Sequence, residues 1–205
     1  MDGGRGDAVS ESAMATQPKP RLSPEEYLIR ERLAETKSEY YQGEVFAMAG
    51  ASENHNLIVA NVVSCLVSGL RHRDCRVYPS DMRLLISSTG LYTYADVMVV
   101  CGKSVLAETQ GDVLTNPLLI IEVLSESTKD YDRGGKFHQY MRIPSLQEYL
   151  TVSQTETLID QSIRQDDNSW LIREITPASG HVPLRSLGIE LDFSDVYDKI
   201  EFNNA

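Results

Sequence analysis

Between Pro117 and Leu124 the chain reads PLLIIEVL, a continuous apolar run with a single acid inside it. Side chains alternate across a strand, so a run that is apolar at every position must be covered on both faces, as in the central strands of parallel or mixed sheets flanked by helices. The acid is the second constraint, because an ionised carboxylate in a core is costly unless something pairs with it. Glu122 holds that position, and a second strand-like run, YTYADVMVV at 92–100, carries Asp96 in the same way. If the two strands adjoin, their carboxylates meet, and a cation must relieve the repulsion. Such a pair offers hard oxygen ligands suited to Mg²⁺ or Mn²⁺. The plain alternative for either acid alone is a strand-end charge that caps a loop or pairs with an arginine.

The surrounding pattern supplies the rest of a sheet and its helices. Ser23-Pro24-Glu25-Glu26 has a capping hydroxyl, proline at the first helical position and acids in the first turn, which predicts a helix to about residue 34. EYYQGEVFAM at 39–48 reads as two short strands about a Gln42-Gly43 turn. From Ser52, apolar residues at 57, 58, 62, 63, 66, 67 and 70 follow helical spacing. Strands are expected over 76–87 and 91–100, joined at Ser88-Thr89-Gly90, then over 118–124. A short amphipathic helix over 131–142 stops before Pro144, and a strand over 148–152 follows. The last expected pair is a hairpin of 156–163 with 170–175 around a polar turn. The order implies an α/β (α+β) fold: a central mixed β-sheet flanked by α-helices, with an extra C-terminal β-hairpin. Residues 1–22 read as a disordered tail without the apolar core of a secretory signal, and 23–202 as a single domain.

Composition limits the partners. Nineteen basic and thirty acidic residues give a net charge of −11, which opposes tight binding to nucleic acid or anionic membrane through a broad basic surface. A local basic groove remains open to it, because the excess is only five acids over 22–152 and six lie beyond residue 152. No apolar stretch is long enough to span a bilayer. Three cysteines, Cys65, Cys75 and Cys101, form an odd set without CxxC spacing, so neither a disulfide framework nor a zinc site is expected, and a reducing, cytoplasmic setting is. Gly134-Gly135-Lys136 lacks the upstream glycine and following hydroxyl of a phosphate-cradling loop, and no GxSxG is present.

Five segments, EYYQGEVFAM, SENHN, YADVMVV, PLLIIEVLSEST and DRGGKFHQYMRIPSLQEYL, occur in an order that resembles the Uma-type family of restriction endonucleases, a branch of the PD-(D/E)xK nuclease superfamily. The resemblance runs from about Ser23 to Val152 and more loosely to Phe202. It implies a restriction-endonuclease-like fold with a metal-dependent site at the open edge of the sheet. Asp96 matches the aspartate of the PD element, with Ala95 in place of the proline, which is not a ligand. Glu122 matches the acid of (D/E)xK, but Leu124 stands at the lysine position. The resemblance implies that the lysine comes from the following helix, as Lys136, with Lys129 and Arg133 as nearby alternatives and a solvated helix face as the ordinary fate of such a lysine. Glu44 matches the acid of the family's glycine-glutamate hairpin and would be the third carboxylate, with Glu39 and Glu53 competing and an exposed hairpin charge as the plain reading. Asp81, on the strand leading into the next hairpin, and His55, in the first turn of the long helix, are second-tier; His55 would position a phosphate or a water, or simply cap the helix. Tyr140, four residues after Lys136, would pack against the lysine stem.

The implied activity is endonucleolytic hydrolysis of DNA phosphodiester bonds. Asp96, Glu122 and Glu44 would hold one or two Mg²⁺ or Mn²⁺, and Lys136 would stabilise developing negative charge. A homodimer is compatible with cutting two strands. Two other readings stand beside it: a catalytically inactive nuclease-fold module for binding or dimerisation, and a hydrolase of a smaller phosphoester, which the acidic balance suits better than long duplex DNA.

Overall fold

The computed structural model describes residues 21–107, 110–125, 129 and 131–202. The tail expected over 1–22 lies outside the described residues up to residue 20; beyond it, the Leu22 N–H donates to the Gly43 carbonyl and the Tyr40 hydroxyl to the Leu22 carbonyl. Helix α1, Pro24–Glu31, opens with a reciprocal capping box in which Ser23 Oγ accepts from the Glu26 N–H and the Glu26 carboxylate from the Ser23 N–H. Strands β1 (Ser38–Tyr41) and β2 (Glu44–Ala47) form the expected hairpin. Its two turn residues both have positive φ, 51° at Gln42 and 89° at Gly43, the backbone of a turn whose twist matches that of the strands. Helix α2, Glu53–Gly69, is capped by Ser52 Oγ accepting from the His55 N–H, and buries Ile58, Val62 and Leu66 along one stripe.

The runs 76–87 and 91–100 are each two strands rather than one. The first breaks into β3 (Cys75–Pro79) and β4 (Arg83–Ile86), the second into β5 (Leu91–Tyr94) and β6 (Val97–Cys101). Asp81 therefore sits in the turn between β3 and β4, not on a strand. The β4–β5 hairpin turns at the expected place but lies in a five-stranded sheet of order β2-β1-β5-β4-β7, where β7 is Val113–Leu114. Strands β3 and β6 instead join a six-stranded sheet with β8 (Leu119–Leu124), β9 (Glu148–Ser153), β10 (Ile159–Arg164) and β11 (Trp170–Ile175), in the order β11-β10-β9-β8-β6-β3. Ala95 and Asp96 are the crossing point between the sheets, and no glycine or proline marks it.

Strands β8 and β9 are parallel, so their connection must cross over one face. It does so through a π-helical turn, Tyr131–Lys136, that continues as α3, Phe137–Tyr140. The helix expected over 131–142 is thus wider at its start and shorter at its end. Gly134 and Gly135 are weak helix formers, and at Gly135 a Cβ would meet the Tyr131 ring at 3.0 Å. The six-stranded sheet is covered on both sides: Val97, Val99, Leu119, Ile121, Val123, Leu150 and Val152 pack with α2. Met98, Val100, Ile120 and Tyr149 pack with Phe137 and Tyr140. This two-sided burial is why the 118–124 run shows no polar alternation.

The 159–175 hairpin extends this sheet. A further hairpin, β12 (His181–Leu184) with β13 (Ile189–Asp192), and the short α4 (Phe193–Val196) complete the core around α2. Cys75 and Cys101 face each other in the β3–β6 register and are joined as a disulfide, contrary to the expectation from their count and spacing; Cys65 is the free thiol. Among the described residues no helix is long and apolar enough to cross a membrane.

Candidate active site

The antiparallel register of β6 and β8 pairs Val97 with Ile121, so Asp96, one residue ahead of β6, falls beside Glu122. The two acids are laced together through the backbone. The Asp96 N–H donates to Glu122 Oε2 at 3.2 Å, and the Val123 N–H donates to Asp96 Oδ2 at 2.8 Å. His55, reaching over from α2, places Nε2 3.2 Å from the same Asp96 oxygen. Its Nδ1 is buried without a hydrogen-bond partner among the described residues.

On the other side of Glu122, the π-turn delivers Lys136 to the pair. Nζ lies 3.0 Å from Glu122 Oε1, 3.5 Å from Glu39 Oε1 and 3.8 Å from Asp132 Oδ1, and it donates to the Tyr94 carbonyl at 3.2 Å. Only 7% of the lysine side chain is exposed, so its charge is answered by these groups and not by water. The Tyr140 hydroxyl donates to Glu122 Oε1 at 2.7 Å. Glu39 is fixed in turn by the Thr93 hydroxyl on Oε1 and the Tyr131 hydroxyl on Oε2.

The electrostatics of the two acids differ although they touch. Burial pushes the Glu122 carboxyl up, Asp96 and Asp132 add to that, and Lys136 with Tyr140 opposes it, leaving it raised to about 8. Burial acts on Asp96 as well, but the hydrogen bond and charge of His55, the Val123 N–H and Lys136 outweigh it and hold Asp96 below the usual carboxylate range. For Lys136 the neighbouring acids Glu122, Glu39 and Asp132 overcome burial and keep the ammonium charged.

The structure therefore gathers Asp96, Glu122, Lys136, Tyr140 and His55 into one cluster, and it leaves others outside. Glu44 is exposed on β2, across from Tyr41 in register, and Glu53 is exposed at the start of α2. Asp81 is 88% exposed and its carboxylate pairs with Lys37 at 2.6 Å. Arg133 pairs with Asp160 at 3.0 Å, and Lys129 precedes the π-turn. The acid of the first hairpin that meets Lys136 is Glu39 rather than Glu44. Asp132 was not singled out in the sequence, although its i,i+4 spacing to Lys136 was a usable signal.

Among the described residues no group of three or more His, Cys, Asp and Glu side chains is arranged to hold a metal. A closed protein cage is thus absent from them. Two adjacent carboxylates with all-oxygen chemistry, one of them strongly ionised, nonetheless fit Mg²⁺, which is commonly held by one or two carboxylates together with water and substrate phosphate.

Comparison with known proteins identifies the family and the fold. The Uma2 family model, described as "Putative restriction endonuclease", matches residues 24–194. The uncharacterized protein slr1290 of Synechocystis sp. is 40% identical over 185 residues, covering 90% of this chain and 96% of that protein. A second Synechocystis protein, sll1609, is 40% identical over 154 residues, covering 75% and 87%. Among solved structures, a "putative nuclease belonging to DUF820" from Anabaena variabilis superposes with a TM-score of 0.68 at 19% identity, over 84% of this chain and 96% of that one. That likeness is one of fold, and it is the mixed α+β, restriction-endonuclease-like fold expected. With the family model spanning both sheets, the two acids and the lysine-bearing turn, this chain belongs to the Uma2 family of restriction-endonuclease-like proteins.

Proposed function

We propose that the protein is a divalent-metal-dependent endonuclease that hydrolyses DNA phosphodiester bonds. The observation that carries this reading is the meeting of Asp96, just ahead of β6, with Glu122 on the neighbouring β8, and the Lys136 ammonium 3.0 Å from Glu122. Asp96 and Glu122 would hold Mg²⁺ or Mn²⁺, which when bound supplies Lewis acidity toward a phosphate oxygen and a lowered pKa for water. The chain's own residues do the rest. Lys136 keeps a fixed positive charge where negative charge grows on the phosphoryl group, and its burial makes that charge count for more than it would in water. Tyr140 orients Glu122, and His55 orients Asp96. The lysine stands on the crossover turn instead of two residues after Glu122, where buried Leu124 lies.

Purified protein is expected to nick supercoiled plasmid with Mg²⁺ or Mn²⁺, and Asp96→Ala or Glu122→Ala to lose at least about 100-fold of that rate with unchanged far-UV circular dichroism. Undiminished cutting by either variant would sink the reading. Phosphate contacts predict that DNA binding weakens as salt is added. A homodimer formed through the edge strand β11, where Leu171 and Ile172 are exposed, is the assembly suited to double-strand cutting, and light scattering checks it. The runner-up, a non-catalytic module on the same fold, is favoured by the enclosure of Lys136 among three acids. Calorimetry that registers no Mn²⁺ binding would select it.

A further inference from the structure

We infer that Glu39 is a second seat for the Lys136 ammonium: when a divalent cation engages Glu122, the lysine passes from Glu122 to Glu39, and so Glu39 governs metal affinity without being a metal ligand. The inference rests on the metal-dependent reading above and adds a residue to it.

The surroundings of the lysine carry it. Lys136 is enclosed, so it cannot escape to solvent when Glu122 turns to another cation. A buried ammonium that loses its carboxylate is strongly destabilised, and metal binding at Glu122 would bear that cost unless another acid stood ready. Glu39 stands ready: its nearer oxygen is 3.5 Å from Nζ, against 3.0 Å for Glu122. Its own orientation is secured by neutral donors, Thr93 on Oε1 and Tyr131 on Oε2, which hold Oε1 toward the lysine. The lysine has a pivot as well, since Nζ also donates to the Tyr94 carbonyl, on the last residue of β5 and two residues ahead of Asp96. Glu39 itself comes from the five-stranded sheet, whereas Glu122 sits in the six-stranded one with Asp96 just ahead of its β6 strand, and the Glu39 carboxylate faces the Lys136 ammonium. Its geometry serves the lysine and not the acid pair.

The exchange has a thermodynamic signature in the coupling between the two residues. Mn²⁺ affinity would be measured by calorimetry on the full chain in four forms: unaltered, Glu39→Gln, Lys136→Gln and the double variant, each checked for folding by circular dichroism. Glu39→Gln is expected to weaken Mn²⁺ about tenfold or more, because the metal must then take Glu122 from Lys136 and leave it only the more distant Asp132, 3.8 Å away. Lys136→Gln removes the competitor, so it is expected to bind Mn²⁺ at least as well as the unaltered protein, and adding Glu39→Gln is expected to change affinity by less than about twofold. Equal weakening by Glu39→Gln with and without the lysine would make Glu39 a ligand and overturn the inference. So would an unchanged affinity in Glu39→Gln. No Mn²⁺ binding by any form, Lys136→Gln included, would fail the metal-dependent reading itself and the inference with it, an outcome distinct from the other two.

Discussion

Glu122 and Asp96 have the same functional group and share a hydrogen bond, yet burial dominates one and donors dominate the other. The Tyr140 hydroxyl is a main support of Glu122, and burial together with that carboxylate keeps the phenol protonated far above its ordinary pKa. Tyr140→Phe removes a hydrogen bond to a buried acid without opening a cavity, so a loss of about 1–3 kcal/mol is expected in urea unfolding. Glu44→Gln is expected to leave metal-dependent cleavage within about twofold of the unaltered rate, since exposed rim charges contribute little; a loss as deep as that of Asp96→Ala would restore Glu44 to the centre. The acids at 96 and 122 were legible as anomalies because each interrupts an apolar run. The choice between Glu39 and Glu44 was not, because both flank the same turn and only the seating of β1 beside β5 decides which one points inward.

At the scale of elements, the turn that joins β1 to β2 depends on a left-handed glycine. A Cβ at Gly43 would also fall 2.6 Å from the Arg21 Cβ, so Gly43→Ala is expected to cost about 1–2 kcal/mol in denaturant unfolding from its backbone alone, and more if Arg21 cannot move. Helix α1 is tied to the five-stranded sheet by Asp112, which accepts from Arg32 Nε at 2.8 Å and Arg83 Nη1 at 3.1 Å. The Arg32 hydrogen bond, reinforced by both guanidinium charges against a modest burial effect, holds the Asp112 carboxyl below its usual range. A carboxyl depressed in the folded state stabilises above its unfolded pKa, and that contribution fades as pH falls through the folded value. Asp112→Asn is therefore expected to cost on the order of 1 kcal/mol at pH 7, discounted for a side chain one-third exposed, and the gap from the unaltered protein should close as urea unfolding is repeated toward pH 2. A gap independent of pH would count against it. Caps and turns at Ser23, Gly43 and Ser52 were legible because they act within four residues. The breaks at 80–82 and 95–96 were not, because the chain changes sheets there without any turn residue at the second of them.

For the whole molecule, the disulfide is the long-range feature with the simplest check. Unreduced, unfolded protein is expected to present one thiol per chain to a thiol reagent, that of Cys65; three would mean the Cys75–Cys101 bond does not form. Across a sequence separation of 26, its reduction is expected to remove about 3.5 kcal/mol of stability by the loop-entropy account. The amino-acid pattern by itself determined that the chain has a two-sided sheet, that α2 lies on it, and that two acids are trapped in its strands, because periodicity and the cost of a buried charge are local properties of a sequence. Tertiary structure alone decided which groups answer those acids. Tyr131 and Glu39 are 92 positions apart, His55 and Asp96 are 41 apart, and the cysteines meet only through the β3–β6 register. Such contacts follow from strand order and registry, which are settled by the simultaneous packing of all the elements and leave no mark in any one stretch of the chain.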